Sequence, residues 1–255
     1  MREGLGQHLP RKYANPPVLE AVCQFQFKET DPWDWTVPGL IYDRIKGTFP
    51  VKRQENAIQI SVTQGKPAEA VSSGAITKMQ FLREDSSALV QVQPHVLTVN
   101  QLKPYPEWPA FKALILEQLH VYTDVAKEQQ LTRIGLRYIN RIEIPAAKFE
   151  LEQYFVALPS VPAGIPDTFG SFLMQVEIPH DDPSMTLRLA VGSLPPSAAD
   201  QSAVMLDLDM VTDQAPNIDG VAAWLDTAHD RLETVFDKSL TEKTHKELLK
   251  EEVHA

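Results

Sequence analysis

RIGLRYINRIEIP, residues 133–145, alternates residue by residue. Extended, the stretch puts Ile134, Leu136, Tyr138, Ile142 and Ile144 on one face. Arg133, Arg137 and Arg141 fall on the other, with Ile139 among them. Asn140 is the one polar residue on the apolar side. This is the pattern of a strand that packs one face on a core and turns the other to a polar environment. Arginines four apart on such a face are about 13 Å apart, so they cannot grip one carboxylate together. They can line a groove, or each can pair with an acid on a neighbouring strand; Asp207, Asp209 and Glu177 are the candidates for Arg137 and Arg141.

Before this strand, residues 1–12 carry Gly4, Gly6 and Pro10 without periodicity and read as a flexible N-terminal tail. Asn15-Pro16-Pro17 forces an extended entry into a strand at Val18–Glu29, where Leu19, Ala21, Cys23, Phe25 and Phe27 share a face. A tryptophan loop holding Trp33 and Trp35 leads to a helix over Pro38–Thr48. Strands are predicted at Ala57–Thr63, Ala75–Glu84 and Ala88–Asn100, the first two separated by a turn at Gly65-Lys66-Pro67. Pro94 breaks the alternation of the last and predicts a bulge or an edge position. A long helix follows to Lys127.

After residue 145 the pattern predicts a short helix at Lys148–Leu158 and a proline-rich loop at Pro159–Pro166. Strands follow at Phe169–Pro179, Met185–Gly192 and Ala203–Thr212, then a helix from Asp219. Thr241 is placed to cap a final polar helix. Both halves therefore read strand, short helix, three strands, long helix. Their opening strands, at Val18 and Arg133, are 115 residues apart, and the other element starts repeat at nearly the same offset. The expected fold class is α+β: two similar β-α-β-β-β-α halves, residues 13–130 and 131–255, with mainly antiparallel sheet and helices on one face.

The chain carries 24 basic against 34 acidic residues, a net charge of −10. That balance disfavours a surface built to neutralise nucleic-acid phosphates. A lone cysteine, Cys23, excludes an intrachain disulfide and suits a reducing compartment. No apolar run reaches the roughly 18 residues of a membrane span, and the start lacks a signal-peptide core. A cytoplasmic protein with no membrane association is expected. No phosphate-binding glycine loop, HExxH or CxxC is present, so no cofactor and no metal is implied. His180-Asp181-Asp182 lacks the further spaced ligands of a metal site, and no nucleophile–base spacing marks a catalytic residue.

The blocks Tyr13-x-Asn15-Pro16-Pro17-Val18-x-Glu20-Ala21, Pro38-Gly39-Leu40-Ile41-Tyr42, Phe49-Pro50 and Gly135-Leu136-Arg137-Tyr138-Ile139-Asn140-Arg141-Ile142 resemble a family of sporadically distributed, uncharacterised prokaryotic proteins of about 250 residues. The resemblance implies a mobile or defence-related context and carries no activity. Two functions are expected from the residues. The first is a non-enzymatic module that binds another protein, or a further copy of itself, through an open sheet face or edge, with Trp33 and Trp35 as exposed anchors. The second is a small-ligand sensor or enzyme whose polar site joins Glu20, Arg137, Asn140 and Arg141 at the junction of the halves.

Overall fold

A computed structural model describes residues 11–61, 69–159, 170–181 and 184–252, and nine strands and three α-helices are formed among them. Most of the tail, the turn at 65–67, the loop at 160–166, Asp182, His8 and His254 lie outside the described residues. In chain order the elements are β1 (Val18–Phe27), α1 (Val37–Ile45), β2 (Val51–Ser61), β3 (Glu69–Leu82), β4 (Ala88–Gln93), β5 (Val96–Leu102) and α2 (Trp108–Ala126). They continue with β6 (Leu131–Ile144), β7 (Leu173–Asp181), β8 (Ser184–Leu194), β9 (Ser202–Thr212) and α3 (Val221–Ser239). The protein is α+β with one large antiparallel sheet, ordered β2-β3-β4-β5-β1-β6-β9-β8-β7. No helix among the described residues is long and apolar enough to cross a membrane.

The chain falls into two compact units. One, the middle unit, holds Val22–Gly135 and Asp213–Ala222; the other, the terminal unit, holds the chain up to Ala21, Leu136–Thr212 and the chain from Ala223 on. β1 and β6 each contribute to both.

In the middle unit, period-two patterning does what it predicts. Cys23, Phe25 and Phe27 of β1 are buried with Val90, Val92, Leu97 and Val99. α2 covers them with Phe111, Leu114, Ile115, Leu119 and Tyr122, and Ile41 and Ile45 of α1 complete the core. The opposite face is an amide ladder. Gln26 donates to Gln24, which donates to Thr98. Gln80 donates to Glu55 and Gln91, and Gln91 to Asn100 at 2.8 Å.

Three expectations are corrected in this unit. β2 begins at Val51 rather than Ala57, because residues 51–55 are all exposed, which leaves no apolar alternation to read. The expected single strand Ala88–Asn100 is a hairpin of β4 and β5. Gln93 pairs with Val96, and His95 closes the two-residue turn at φ 56°. The phase change at Pro94 thus marks a turn, which a missing N–H tolerates well. With the added strand, the first half holds five strands, not four.

In the terminal unit, Leu136, Ile142 and Ile144 of β6 are buried with Leu187, Leu189 and Val191 of β8 and Leu206, Leu208 and Met210 of β9. α3 lies over this face, bringing Leu225, Ala228 and Leu232; Tyr138 of β6 hydrogen-bonds His229 of α3 at 3.0 Å. The expected helix at Lys148–Leu158 is only one 3-10 turn, Leu151–Gln153. Phe155 leaves it to bridge Leu240, and the Val156 N–H donates to Ser239 O, so tertiary backbone pairing overrides helix propensity. The final polar helix expected to run to the C-terminus is shorter: after Thr241, whose hydroxyl accepts from the Thr244 N–H, it is a π-turn at Thr244–Leu248 that buries Thr244 and His245. Arg11 and Lys12 are docked on it, Arg11 through Glu242 and Glu251.

Candidate functional site

Three places hold the chemistry of this chain. The first is the polar face of the terminal unit, where β6 presents Arg137 and Arg141. Arg137 makes a two-pronged ion pair with Asp207 of β9, its Nε at 2.8 Å. Asp207 is buried, and its hydrogen bond is the largest cause raising the Arg137 pKa; burial opposes it, and the charges of Asp209 and Glu20 add to the rise. Glu20 thus lies within electrostatic reach of Arg137. Arg141 turns elsewhere: its Nε donates to Glu143 at 2.6 Å, and its terminal nitrogen to Pro195 O and Ser197 Oγ. Asn140 faces the core. It is 1% exposed, and its amide donates to Leu206 O at 3.1 Å. On β8, Arg188 bonds Glu177 of β7 at 2.8 Å and reaches Asp209. The four polar residues expected as one site therefore belong to one unit, but they do not converge: Asn140 is on the opposite face from Arg137, and each arginine is engaged by its own partners.

The second place is the tryptophan loop of the middle unit. Trp33 and Trp35 meet edge to face at 6.4 Å, and Trp35 is 44% exposed. Trp33 is half-buried; its indole N–H is shielded and finds no acceptor among the described residues. Its ring packs against His95 at 5.5 Å. Sequence reasoning missed what stands behind it. His95 Nδ1 meets Glu128 at 2.5 Å, and the other Glu128 oxygen accepts from the Tyr122 hydroxyl at 2.9 Å. Burial, followed by the Glu128 charge, pushes the Tyr122 phenol up, so it stays a donor. Nothing in the sequence joins His95 to Glu128, 33 residues away. The one available signal was the break in alternation at Pro94-His95. The imidazole is fixed between Glu128 and Trp33.

The third place is β7, the terminal strand on its side of the sheet. Leu173 is 67% exposed, Val176 40% and Ile178 42%. Val176 and Ile178 share the face of buried Leu189 and Leu187, their partners on β8, but at the end of the strand order that face is only partly covered; Leu173, opposite Gly192, is on the other face. Gly192 permits the close approach: a Cβ there would come within 3.0 Å of the Leu173 side chain and 3.1 Å of Phe172 O. No group of three or more metal-ligating side chains occurs among the described residues.

Comparison with models of known protein families finds none that matches this chain, and comparison with curated proteins finds no match either.

Proposed function

We propose that this protein is a non-enzymatic interaction module that binds another protein by strand addition at β7. The observation that carries the reading is the exposure of Leu173, Val176 and Ile178 along one terminal strand, where a soluble protein normally places charges. The one acid within that run, Glu177, is drawn back onto Arg188, which weakens its use as a guard against pairing. An incoming strand would find backbone hydrogen-bonding groups with the apolar pair Val176 and Ile178 on one face and Leu173 on the other, the two ingredients of strand-addition complexes. A second copy of the chain would meet the same surface. The half-exposed Trp35 supports partner binding as well.

The wider reading is a cytoplasmic protein of a bacterial defence or toxin-neutralising system. It rests on the motif resemblance and on the lone, buried Cys23, which suits a reducing compartment. We also read the chain as an internal duplication. Outward from the first strand the order is β1-β5-β4-β3-β2, and from the sixth β6-β9-β8-β7, so each opening strand is followed by its successors in reverse. The extra strand and the missing second short helix are the departures from a strict repeat. The alternative of a small-ligand or catalytic site at Glu20, Arg137, Asn140 and Arg141 is the weaker reading, because these side chains serve pairs and carbonyls within the fold.

The test is quantitative affinity capture from native lysate with wild type and with Val176→Lys/Ile178→Lys. Both positions are exposed, so the variant should melt within about 2 °C of wild type. The reading expects a stoichiometric protein recovered by wild type and at least tenfold less by the variant. Equal recovery by both would remove β7 as the contact.

A further inference from the structure

The tryptophan loop carries an inference independent of β7. An open cleft of about 430 Å³ lies between the loop and the β4–β5 turn, with Glu29, Asp31, Trp33 and His95 on its walls and Pro32 and Pro94 at its margins. Its aromatic side is rigid. His95 is 8% exposed and is locked by Glu128, itself held by Tyr122; Trp33 rests on His95, and Trp35 backs Trp33. Its acidic side is not neutralised: among the described residues, no hydrogen bond or ion pair engages the carboxylate of Glu29 or Asp31. Elsewhere on this protein, carboxylates such as Asp207, Glu177 and Glu242 are paired with arginine. Trp33 and two carboxylates without a partner among the described residues line one cleft, and an indole with carboxylates nearby is the chemistry that attracts an organic cation, by ring quadrupole and charge together.

We infer that this cleft binds a small organic cation bearing N–H donors, a guanidinium or primary ammonium group. The group is either free or at the end of an arginine or lysine side chain. A metal ion would not use the aromatic wall, and an anion would be repelled by Glu29 and Asp31.

Titration with butylguanidinium, followed by tryptophan fluorescence and by NMR of the indole N–H signals, tests the inference on the full chain. Butylurea, of the same shape without the charge, is the control. Butylguanidinium is expected to bind with a Kd of about 1 mM, the scale reached by a ligand of this size at an open site. Butylurea should bind at least tenfold more weakly. Glu29→Gln/Asp31→Asn, both at exposed positions, should weaken butylguanidinium tenfold or more while the melting temperature holds. Trp33→Leu should do likewise, and the acid-to-amide variant keeps the test valid if that one fails to fold. A capped tripeptide with one central arginine separates the sources: tighter binding than butylguanidinium assigns the cleft to a protein side chain, and equal or weaker binding assigns it to a free cation. Either result upholds the cation site. Equal response to butylurea, or an unchanged Kd in the acid-to-amide variant, would overturn it.

Discussion

Arg137 and Asp207 show how one residue pair decides between a site and a support. Asp207 is buried and takes both of its hydrogen bonds from Arg137, whose side chain is 44% exposed. Removing the arginine leaves a buried carboxylate without its counter-charge. Fully buried pairs cost about 3–5 kcal/mol when broken in this way; solvent at Arg137 lowers the expectation for Arg137→Ala to about 2 kcal/mol in urea unfolding. Arg137→Met/Asp207→Leu should recover most of that loss. A binding arginine would behave oppositely, with little change in stability. His229 gives a second residue-scale expectation. Burial lowers its pKa from the usual 6.5 to about 4, while Tyr138 holds its Nδ1. Between those values the unfolded chain takes up a proton that the folded chain refuses. Stability is therefore complete above about pH 6.5 and falls towards pH 4, by up to about 3 kcal/mol. His245, lowered mainly by burial, pulls in the same direction. Urea midpoints at pH 7.5 and 4.5 should differ less for His229→Gln than for wild type; an equal difference would show that His229 does not titrate in this way.

At the scale of elements, what could be read in advance follows from how each strand uses its side chains. β1 and β6 bury every second residue, so their alternation is visible in sequence. Gln24 and Gln26 alternate with Cys23, Phe25 and Phe27, but the ladder of bonds that joins them to Thr98, and Gln80 to Gln91, is a product of strand pairing. β2 could not be delimited because its first five residues are exposed and carry no pattern. The β4–β5 hairpin was hidden because its turn is Pro94-His95, without the glycine or asparagine that usually signals φ > 0. The 3-10 turn at Leu151–Gln153 was misread as a helix because Phe155 pairs with Leu240, a contact 85 residues away that local propensity does not encode. The candidate sites divide likewise. Trp33 and Trp35 stood out by residue type, whereas His95 and Glu128 acquire their meaning only from being brought together. β7 looked like an ordinary strand; its position at the end of the order is a property of topology, not of residues 173–181.

For the molecule as a whole, the polar faces of both units are largely self-satisfied, by amides in one and by arginine–carboxylate pairs in the other. Among the described residues β7 combines a terminal position in the sheet with exposed Leu173, Val176 and Ile178, which is why we propose protein binding there. Hydrogen–deuterium exchange of residues 173–181, with and without the captured partner, measures that directly. Strand addition predicts that the outward amides of β7 exchange readily in the free protein and are slowed at least tenfold in the complex. Unchanged exchange along β7, with protection gained in some other segment, would contradict it.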